Sequence, residues 1–338
     1  MLTSPPMPQV DSASRIAVLR ALQLGDMLCA VPALRALRRA NPRAHIALVA
    51  LPWARELAGR FPEYIDELIE FPGFPGLPER APEIAAVPRF LAEMQALRFD
   101  LALQAHGSGQ VTNAIAALFG ARRTAGCYAP GAWCPDDESF IPYPDDEPER
   151  LRPLRLLEHL GVACGDDALE FPVRPADRAE LAASRGGAPG ARIAVIHPGA
   201  RQASRRWPAA RFAETADALA ARGCDIVLTG STHERAITAG VRARMHAPAT
   251  DLAGRTTLGS LAALLESARL LVCNDTGVSH LADAVGTPSV VVFSGSDPTR
   301  WAPADAALHR PVAGVDVAVQ DVLREADALL VREAADAA

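Results

Sequence analysis

Short apolar runs alternate with amphipathic stretches along most of this chain. Residues 16–20 and 45–50 are mainly apolar runs of strand length, and further strand-like runs lie at residues 67–71 and 100–104. Between the first two runs, apolar residues share one helical face and arginines share the other. This alternation predicts a parallel sheet with helices on both of its faces.

The helix between the first two strands carries Pro32 near its first turns. Proline lacks a backbone donor and clashes with the preceding turn, so we expect a kink at this position. Asn41 and Pro42 predict the end of the helix, because a residue before proline disfavours helical backbone.

The same rhythm returns in the second half, after small residues at 184–190 that predict a flexible linker. Strands are predicted at residues 192–197, 224–229, 269–273 and 289–293, with helices from Ala209, His233 and Thr276 and a last helix over 315–335. The predicted fold class is therefore α/β, with two Rossmann-like doubly wound domains facing a central cleft.

The predicted organisation has four parts: a flexible leader at 1–14, an N-terminal domain at 15–184, a C-terminal domain at 191–312 and a C-terminal helix at 313–338. Residues 128–150 interrupt the first domain with five prolines and seven acidic residues. That composition predicts a long surface loop or mobile flap, followed by a helix from about residue 149 to 160.

Composition narrows the function classes. A net charge of −6 and an aromatic content of 5% argue against a nucleic-acid partner. No apolar run reaches the roughly 18–20 residues of a membrane span, and the Pro- and Ser-rich start does not resemble a signal peptide. Six scattered cysteines favour buried thiols in a reducing compartment over disulfides or zinc. We therefore expect a cytoplasmic protein.

Four loops of the second half follow predicted strands and should converge at one sheet edge. They are residues 197–200 with the polar positions Ser204, Arg205 and Arg206 just beyond, residues 229–234 including Gly230 and Glu234, residues 274–280 including Asp275, Thr276, Gly277 and His280, and residues 293–298. Arginine and a helix N-terminus suit phosphate, and a carboxylate suits ribose hydroxyls. The pattern predicts a nucleotide diphosphate site.

Structural alternatives stay open for these residues. Asp275 could serve as a helix N-cap, and Glu234 could simply favour a helix dipole. Arg205 and Arg206 could be ordinary solvated charges, and His280 could be a packing or capping histidine.

In the first half, Leu22–Asp26 follows the first strand without the Gly-x-Gly-x-x-Gly pattern of a dinucleotide site. Asp26 is either a general base or a carboxylate that stabilises a helix dipole. His106 could line the cleft or have a structural role. Arg122 and Arg123 could contact an anionic acceptor or be ordinary exposed arginines.

Taken together these motifs resemble glycosyltransferase family 9, the lipopolysaccharide heptosyltransferases, over roughly residues 15–305. The matching motifs are Arg15-Ile16-Ala17-Val18-Leu19, Leu24-Gly25-Asp26, Pro32-Ala33-Leu34, His197-Pro198-Gly199-Ala200, Arg206-Trp207-Pro208, Thr229-Gly230-Ser231 with Glu234, Asp275-Thr276-Gly277, His280-Leu281-Ala282 and Phe293-Ser294-Gly295-Ser296-Asp297-Pro298. Two positions depart from the family pattern. Arginine replaces a phosphate-contacting lysine at or next to Arg205, and Gly295-Ser296-Asp297 replaces Pro-Thr-Asp.

The resemblance implies a two-domain GT-B architecture and inverting sugar transfer without a bound metal or cofactor. It implies an ADP-sugar donor in the C-terminal domain and a glycan or glycolipid acceptor in the N-terminal domain. Asp26 then matches the catalytic base, Arg205 the phosphate contact and Glu234 the ribose contact. Asp275, Thr276 and Gly277 match the pyrophosphate loop.

We thus predict a heptosyltransferase acting on a lipopolysaccharide core, with no obligate protein partner and with peripheral inner-membrane contact left open. The alternatives are a non-catalytic nucleotide- or carbohydrate-binding scaffold, a transferase with another donor or a protein acceptor, and a nucleotide-binding oxidoreductase. The missing glycine fingerprint weakens the last of these.

Overall fold

In the computed structural model, which describes residues 13–185 and 192–336, each half of the chain forms a six-stranded sheet. The chain divides into two compact units, residues 1–167 and 168–338. Most of the predicted leader, and residues 186–190 of the predicted linker, lie outside the described residues.

Unit 1 alternates strands and helices from its first strand onward. Its strands are β1 (Arg15–Leu19), β2 (His45–Ala50), β3 (Glu67–Glu70), β4 (Leu101–Gln104), β5 (Arg123–Tyr128) and β6 (Phe140–Pro142). Its helices are α1 (Leu24–Cys29), α2 (Val31–Ala40), α3 (Ala54–Ala58), α4 (Val87–Ala96), α5 (Thr112–Ala117) and α6 (Arg152–His159). All strand pairs are parallel, in the order β3-β2-β1-β4-β5-β6.

Unit 2 repeats this plan. Its strands are β7 (Ile193–His197), β8 (Asp225–Leu228), β9 (Ala249–Asp251), β10 (Leu270–Asn274), β11 (Ser289–Phe293) and β12 (His309–Ala313). Its helices are α7 (Pro175–Arg185), α8 (Ala209–Ala221), α9 (Arg235–Arg242), α10 (Leu258–Glu266), α11 (Gly277–Ala284), α12 (Pro298–Trp301) and α13 (Val319–Asp336). The strands are again parallel, in the order β12-β11-β10-β7-β8-β9.

In both sheets the strand order reverses beside the first strand. The reversal lies between β1 and β4 in unit 1 and between β7 and β10 in unit 2. The loops that leave two such strands diverge to opposite faces of the sheet and open a crevice at its carboxyl edge, where ligands of doubly wound folds bind. The predicted α/β, doubly wound class is confirmed, and the topology marks one candidate crevice in each unit.

The central strands β1, β2, β4, β7, β10 and β11 are buried on both faces, which explains why they are mainly apolar runs in the sequence. Every residue of β7, β10 and β11 is buried. Helix α13 packs Val322, Ala326 and Leu329 into the same core. The segment predicted as a separate C-terminal helix is therefore an integral part of unit 2, because its apolar face covers that sheet.

The boundary between the units falls earlier than the sequence-based boundary at residue 184. Helix α7, which we placed in the N-terminal domain, packs against α10 of unit 2. Arg178 of α7 pairs with Glu266 (Nη2–Oε2 2.7 Å), and Glu180 accepts a hydrogen bond from the Thr257 hydroxyl (2.9 Å). The boundary at 184 was predicted because residues 184–190 have the small-residue composition of a linker, which carries no information on where α7 packs.

Local details also differ from the predictions. Instead of one kinked helix at Pro32, the chain forms two helices, and Pro32 lies in the first turn of α2, where it costs no hydrogen bond. The predicted 128–150 loop contains β6, which adds an edge strand to the sheet. Strands β9 and β12, at the two edges of the second sheet, were not predicted.

The six cysteines, all within the described part of the chain, form no disulfide bond. Cys29, Cys127, Cys224 and Cys273 are buried, as predicted, whereas Cys134 and Cys164 are half-buried. In the two described ranges, no helix combines the length and the apolar character that a bilayer crossing requires.

Candidate active site

The loops after β7 and β10 are joined in unit 2 by a buried side chain, Asn274. Its Oδ1 accepts the Trp207 N–H at 2.9 Å, and its Nδ2 donates to the carbonyl of Pro198 at 2.9 Å. Asn274 lies in the predicted loop 274–280, but no role for its side chain was predicted. Its amide fixes the two loops that border the crevice, since it satisfies one donor and one acceptor of the neighbouring loop.

The next residue, Asp275, forms an ion pair with Arg205 (Oδ2–Nη1 3.1 Å). The carboxylate is 3% exposed, whereas the Arg205 side chain is 28% exposed. Helix α11 begins at Gly277 with Thr276 as its N-cap, so the alternative of Asp275 as N-cap is wrong. Asp275 instead holds a half-exposed guanidinium beside the N-terminus of α11.

This arrangement gathers positive potential at one place. Thr276 and Gly277 are half-buried at the start of α11, where the first-turn N–H groups lack partners inside the helix. The helix dipole and the Arg205 guanidinium therefore act together on any group placed there. A phosphate is the ligand that such a combination suits best.

Glu234 belongs to the loop after β8 and lies against the loop after β7. It closes a capping box, in which its Oε2 accepts the Ser231 N–H at 2.7 Å. Gly199 leaves room for it, because a Cβ at Gly199 would collide with the Glu234 carboxylate. Gly230 also lies close to Glu234, although less so, since a Cβ there would lie 3.2 Å from Glu234 Cβ.

Burial and neighbouring polar groups set the ionisation states of His197 and Glu234. Burial lowers the pKa of His197, whose Nδ1 lies 3.0 Å from the Thr229 hydroxyl, so the imidazole is neutral at pH 7. Burial alone would raise the pKa of Glu234, but the interaction with His197, the hydrogen bonds from Ser231 and the charge of Arg206 outweigh burial, and the pKa is lowered. Glu234 is thus a carboxylate at neutral pH and accepts hydrogen bonds.

The two neighbouring arginines have different surroundings. Arg205 reaches the turn before α11, whereas the exposed Arg206 donates from Nε to the carbonyl of Ala200 in its own loop (2.8 Å). Ser204, also exposed, lies in the 3-10 helix with Arg205, and its carbonyl approaches Gly295 of the loop after β11. The four predicted loops therefore do meet at one edge.

His280 is a buried residue of α11. It is 4% exposed, and its ring packs edge-on against Trp301, with 6.2 Å between ring centroids. The structure favours the packing alternative for this residue over a ligand contact.

In unit 1 the crevice between β1 and β4 contains Asp26 and His106. Asp26 is the third residue of α1, half-buried, and its Oδ2 accepts the Gln23 N–H at 3.3 Å in a capping box. His106 Nδ1 accepts the Ala21 N–H at 3.2 Å, which ties the loop after β4 to the loop after β1. His106 Nε2 lies 3.6 Å from Glu79 Oε1. These two predicted residues are brought together.

The structure does not support the prediction that Arg122 and Arg123 contact an anionic acceptor. They precede or begin β5, so they lie at the amino ends of the parallel strands, at the opposite edge of the sheet from Asp26. Arg122 pairs there with Asp100 (3.5 Å), and Arg123 donates to the Ser139 hydroxyl (2.9 Å). Both have structural partners at the edge where the crevice does not open.

Sequence reasoning missed three buried charged residues of unit 1, Arg20, Glu149 and Arg152, which cluster beneath the Asp26 turn. Arg20 ends an apolar strand and Glu149 ends an acidic segment, so neither stood out. Over residues 13–185 and 192–336, no group of three or more His, Cys, Asp or Glu side chains is arranged to hold a metal ion.

Comparison with known proteins finds matches in sequence and in fold. The family model for glycosyltransferase family 9 (heptosyltransferase) matches residues 93–312. Lipopolysaccharide heptosyltransferase 2 of Escherichia coli strain K12 is 26% identical over 95% of this chain and 100% of its own length. Lipopolysaccharide heptosyltransferase 3 of Escherichia coli is 35% identical, but that match covers 34% of each protein, about a third of the relative's length. The solved ADP-heptose lipopolysaccharide heptosyltransferase II of Escherichia coli shares the fold, with a TM-score of 0.76, 22% identity and coverage of 94% of this chain and 99% of that chain.

Proposed function

This chain belongs to glycosyltransferase family 9, and from that premise we propose that it transfers a heptosyl group from an ADP-sugar to a hydroxyl of a lipopolysaccharide core acceptor. The family predicted from the motifs is thus confirmed. The observation that carries the proposal is the Arg205–Asp275 pair at the N-terminus of α11, in the crevice of unit 2. The sugar and the acceptor in this proposal are those of the similar lipopolysaccharide heptosyltransferases.

The donor would bind unit 2 through its nucleotide. Arg205 and the first turn of α11 bind the diphosphate, whose charge both attract. Glu234 accepts hydrogen bonds from the ribose hydroxyls, which suits a carboxylate of lowered pKa. Arg206, Ser204 and Gly230 border the same nucleotide.

The reaction that we propose is inverting and needs no metal ion. Asp26 takes the proton of an acceptor hydroxyl as that oxygen forms a bond to the anomeric carbon. The bond from this carbon to the diphosphate oxygen breaks on the opposite face. The negative charge on the departing diphosphate is stabilised by Arg205 and the α11 dipole. The configuration of the product by NMR, and turnover in the presence of EDTA, test these two features.

We place the reaction in the cytoplasm, with contact at the inner membrane when the acceptor is a glycolipid. Six cysteines without a disulfide bond fit a reducing compartment. Fractionation of cells that express the chain tests the location, since an integral membrane protein would resist extraction by salt. Labelling with a thiol reagent tests the redox state, since a protein with disulfide bonds would show fewer than six reactive thiols after unfolding.

Thermal unfolding with nucleotides tests the donor class. ADP at a hundred times its dissociation constant should stabilise the protein by about 2.7 kcal/mol, which raises Tm by several degrees. UDP, GDP and NAD at the same concentration should raise it less. Stabilisation by NAD alone would indicate an oxidoreductase, stabilisation by UDP or GDP another donor, and no response a scaffold.

Replacing Gly199 by alanine should weaken ADP binding about tenfold or more, the value of a hydrogen bond to a charged group. The added methyl group displaces the Glu234 carboxylate from the place it occupies beside the loop after β7. Isothermal titration calorimetry measures the affinity. Gly240→Ala in α9 is the matched control, because its Cβ meets nothing nearer than Arg244 Nη1 at 3.8 Å. If Gly199→Ala and the control bind ADP with equal affinity, Glu234 does not contact the ribose.

A further inference from the structure

Beneath the Asp26 turn, unit 1 buries three charged side chains. Arg20 and Glu149 form an ion pair (Nη2–Oε1 3.1 Å) in which the side chains are 2% and 4% exposed. Arg152 lies on the other side of Glu149 (Nη1–Oε2 3.5 Å) and is 3% exposed. Desolvating three charges is costly, and such a cluster adds little net stability compared with apolar side chains. Its contacts indicate what else it does.

The Arg20 guanidinium binds the backbone of both loops that border the unit 1 crevice. Nε and Nη2 both donate to the carbonyl of Asp26, at 2.9 and 2.6 Å, and Nη1 donates to the carbonyl of Ala105 at 2.5 Å. In a continuous α-helix the Ala30 N–H would donate to the Asp26 carbonyl. Ala30 is the C-cap of α1, and its N–H donates to the Met27 carbonyl (3.1 Å). The position of the Asp26 backbone is therefore set by a side chain that also fixes the neighbouring loop after β4.

Glu149 lies at the end of the acidic stretch 128–150, and contacts with Arg152 hold that end in place. Arg152 donates from Nε to the Glu147 carbonyl (3.1 Å) and from Nη2 to the Asp145 carbonyl (2.9 Å). Its guanidinium also lies 4.5 Å from the centre of the Tyr143 ring. The two arginines carry one more positive charge than Glu149 neutralises, and these backbone carbonyls, with those of Asp26 and Ala105, accept hydrogen bonds from the two guanidinium groups.

Cys127 lines the same small cavity as Arg20, Glu149 and Arg152. Burial, to which the Glu149 charge adds, raises the pKa of its thiol to about 12. The thiol is neutral and contributes no charge to the cluster.

We propose that Arg20, held by Glu149, is a positioning residue for the reaction: it fixes the backbone of Asp26 so that the carboxylate meets the acceptor hydroxyl. This inference rests on the proposed role of Asp26 as the base. A planar guanidinium can hold two carbonyls and a carboxylate at once, whereas a lysine ammonium cannot reproduce that geometry. A base displaced by about 1 Å loses up to a hundredfold in rate.

The test is a double-mutant cycle between Arg20→Lys and Asp26→Asn. In the wild-type background, Arg20→Lys should lower kcat about tenfold or more, with KM for the donor changed less than about twofold. In the Asp26→Asn background the same change should alter the remaining transfer, measured in single-turnover experiments, less than about twofold, because there is no base left to position.

Arg38→Lys is the matched control. Arg38 also joins a backbone carbonyl, that of Ala44 (2.6 Å), to a carboxylate, Asp66 (2.5 Å), but at the amino edge of the sheet. It should lower Tm without lowering kcat. Glu149→Gln, which keeps the size and loses the charge, repeats the cycle if Arg20→Lys does not fold.

The outcomes separate the two claims. Equal losses from Arg20→Lys in both backgrounds would overturn the positioning role and leave Asp26 as the base. Unchanged turnover in Asp26→Asn alone would overturn the base and, with it, this inference. A loss of kcat that Arg20→Lys or Glu149→Gln causes in the wild-type background, and not in the Asp26→Asn background, supports the proposal.

Discussion

Asp26→Asn should lower kcat at least about a hundredfold while leaving ADP affinity unchanged. A positioned general base contributes about 10²–10⁴-fold, because an alcohol is a poor nucleophile until its proton is removed. Asparagine has nearly the same shape and can still accept the Gln23 N–H that the Asp26 carboxylate accepts at 3.3 Å. The substitution therefore removes the proton acceptor and preserves the turn.

Steady-state kinetics with the ADP-sugar, together with calorimetric titration of ADP, measures both halves of this prediction. Asp100→Asn is a suitable control in the same unit. Asp100 also accepts backbone N–H groups, those of Ser14 and Arg15 at 2.9 and 3.0 Å, but it does so at the amino edge of the sheet. Turnover of Asp26→Asn as fast as that of Asp100→Asn would assign the base to another group, and His106 on the adjacent loop would be the next to test.

The fold was predictable from the sequence because its central strands are buried. Runs such as residues 45–50 and 289–293 are apolar after their first residue, and they agree with β2 and β11 to the residue. The edge strands β9 and β12 escaped detection. The first has three residues, and the second, His309–Ala313, mixes polar residues and a proline with two apolar ones, as edge strands do.

The candidate site was predictable only where topology decides it. The loops after β7, β8, β10 and β11 had to meet, since the carboxyl ends of parallel strands share an edge. Arg122 and Arg123 were misplaced because β5 was not predicted, so nothing indicated that they precede a strand. Partners distant in sequence, such as Arg20 with Glu149, carry no local signal at all.

The same limit applies to the two adjacent arginines of unit 2, which the sequence could not tell apart. In the structure, Arg205 contacts the turn before α11 and Arg206 contacts its own loop. This difference gives a prediction for the donor side that the sequence did not allow.

Arg205→Ala should lower kcat about 10²–10³-fold, the usual cost of removing one preorganised group that stabilises charge developing in the transition state. Arg206→Ala should have the smaller effect, since its guanidinium is exposed and bonded to Ala200. Arg205→Ala should also lower the free energy of unfolding, by about 1–3 kcal/mol, because Asp275 stays buried without this partner.

The stability loss must be separated from the catalytic loss, and two further variants do this. Arg205→Gln can still donate to Asp275 but carries no charge, so it should recover stability and not turnover. Arg222→Ala breaks an Arg–Asp pair elsewhere in unit 2, that of Arg222 with Asp327 (2.6 Å), and should keep kcat near wild type. Urea unfolding and steady-state kinetics measure the two quantities. If Arg205→Gln turns over normally, or if Arg206→Ala loses more activity than Arg205→Ala, the charge at Arg205 is not what stabilises the departing diphosphate.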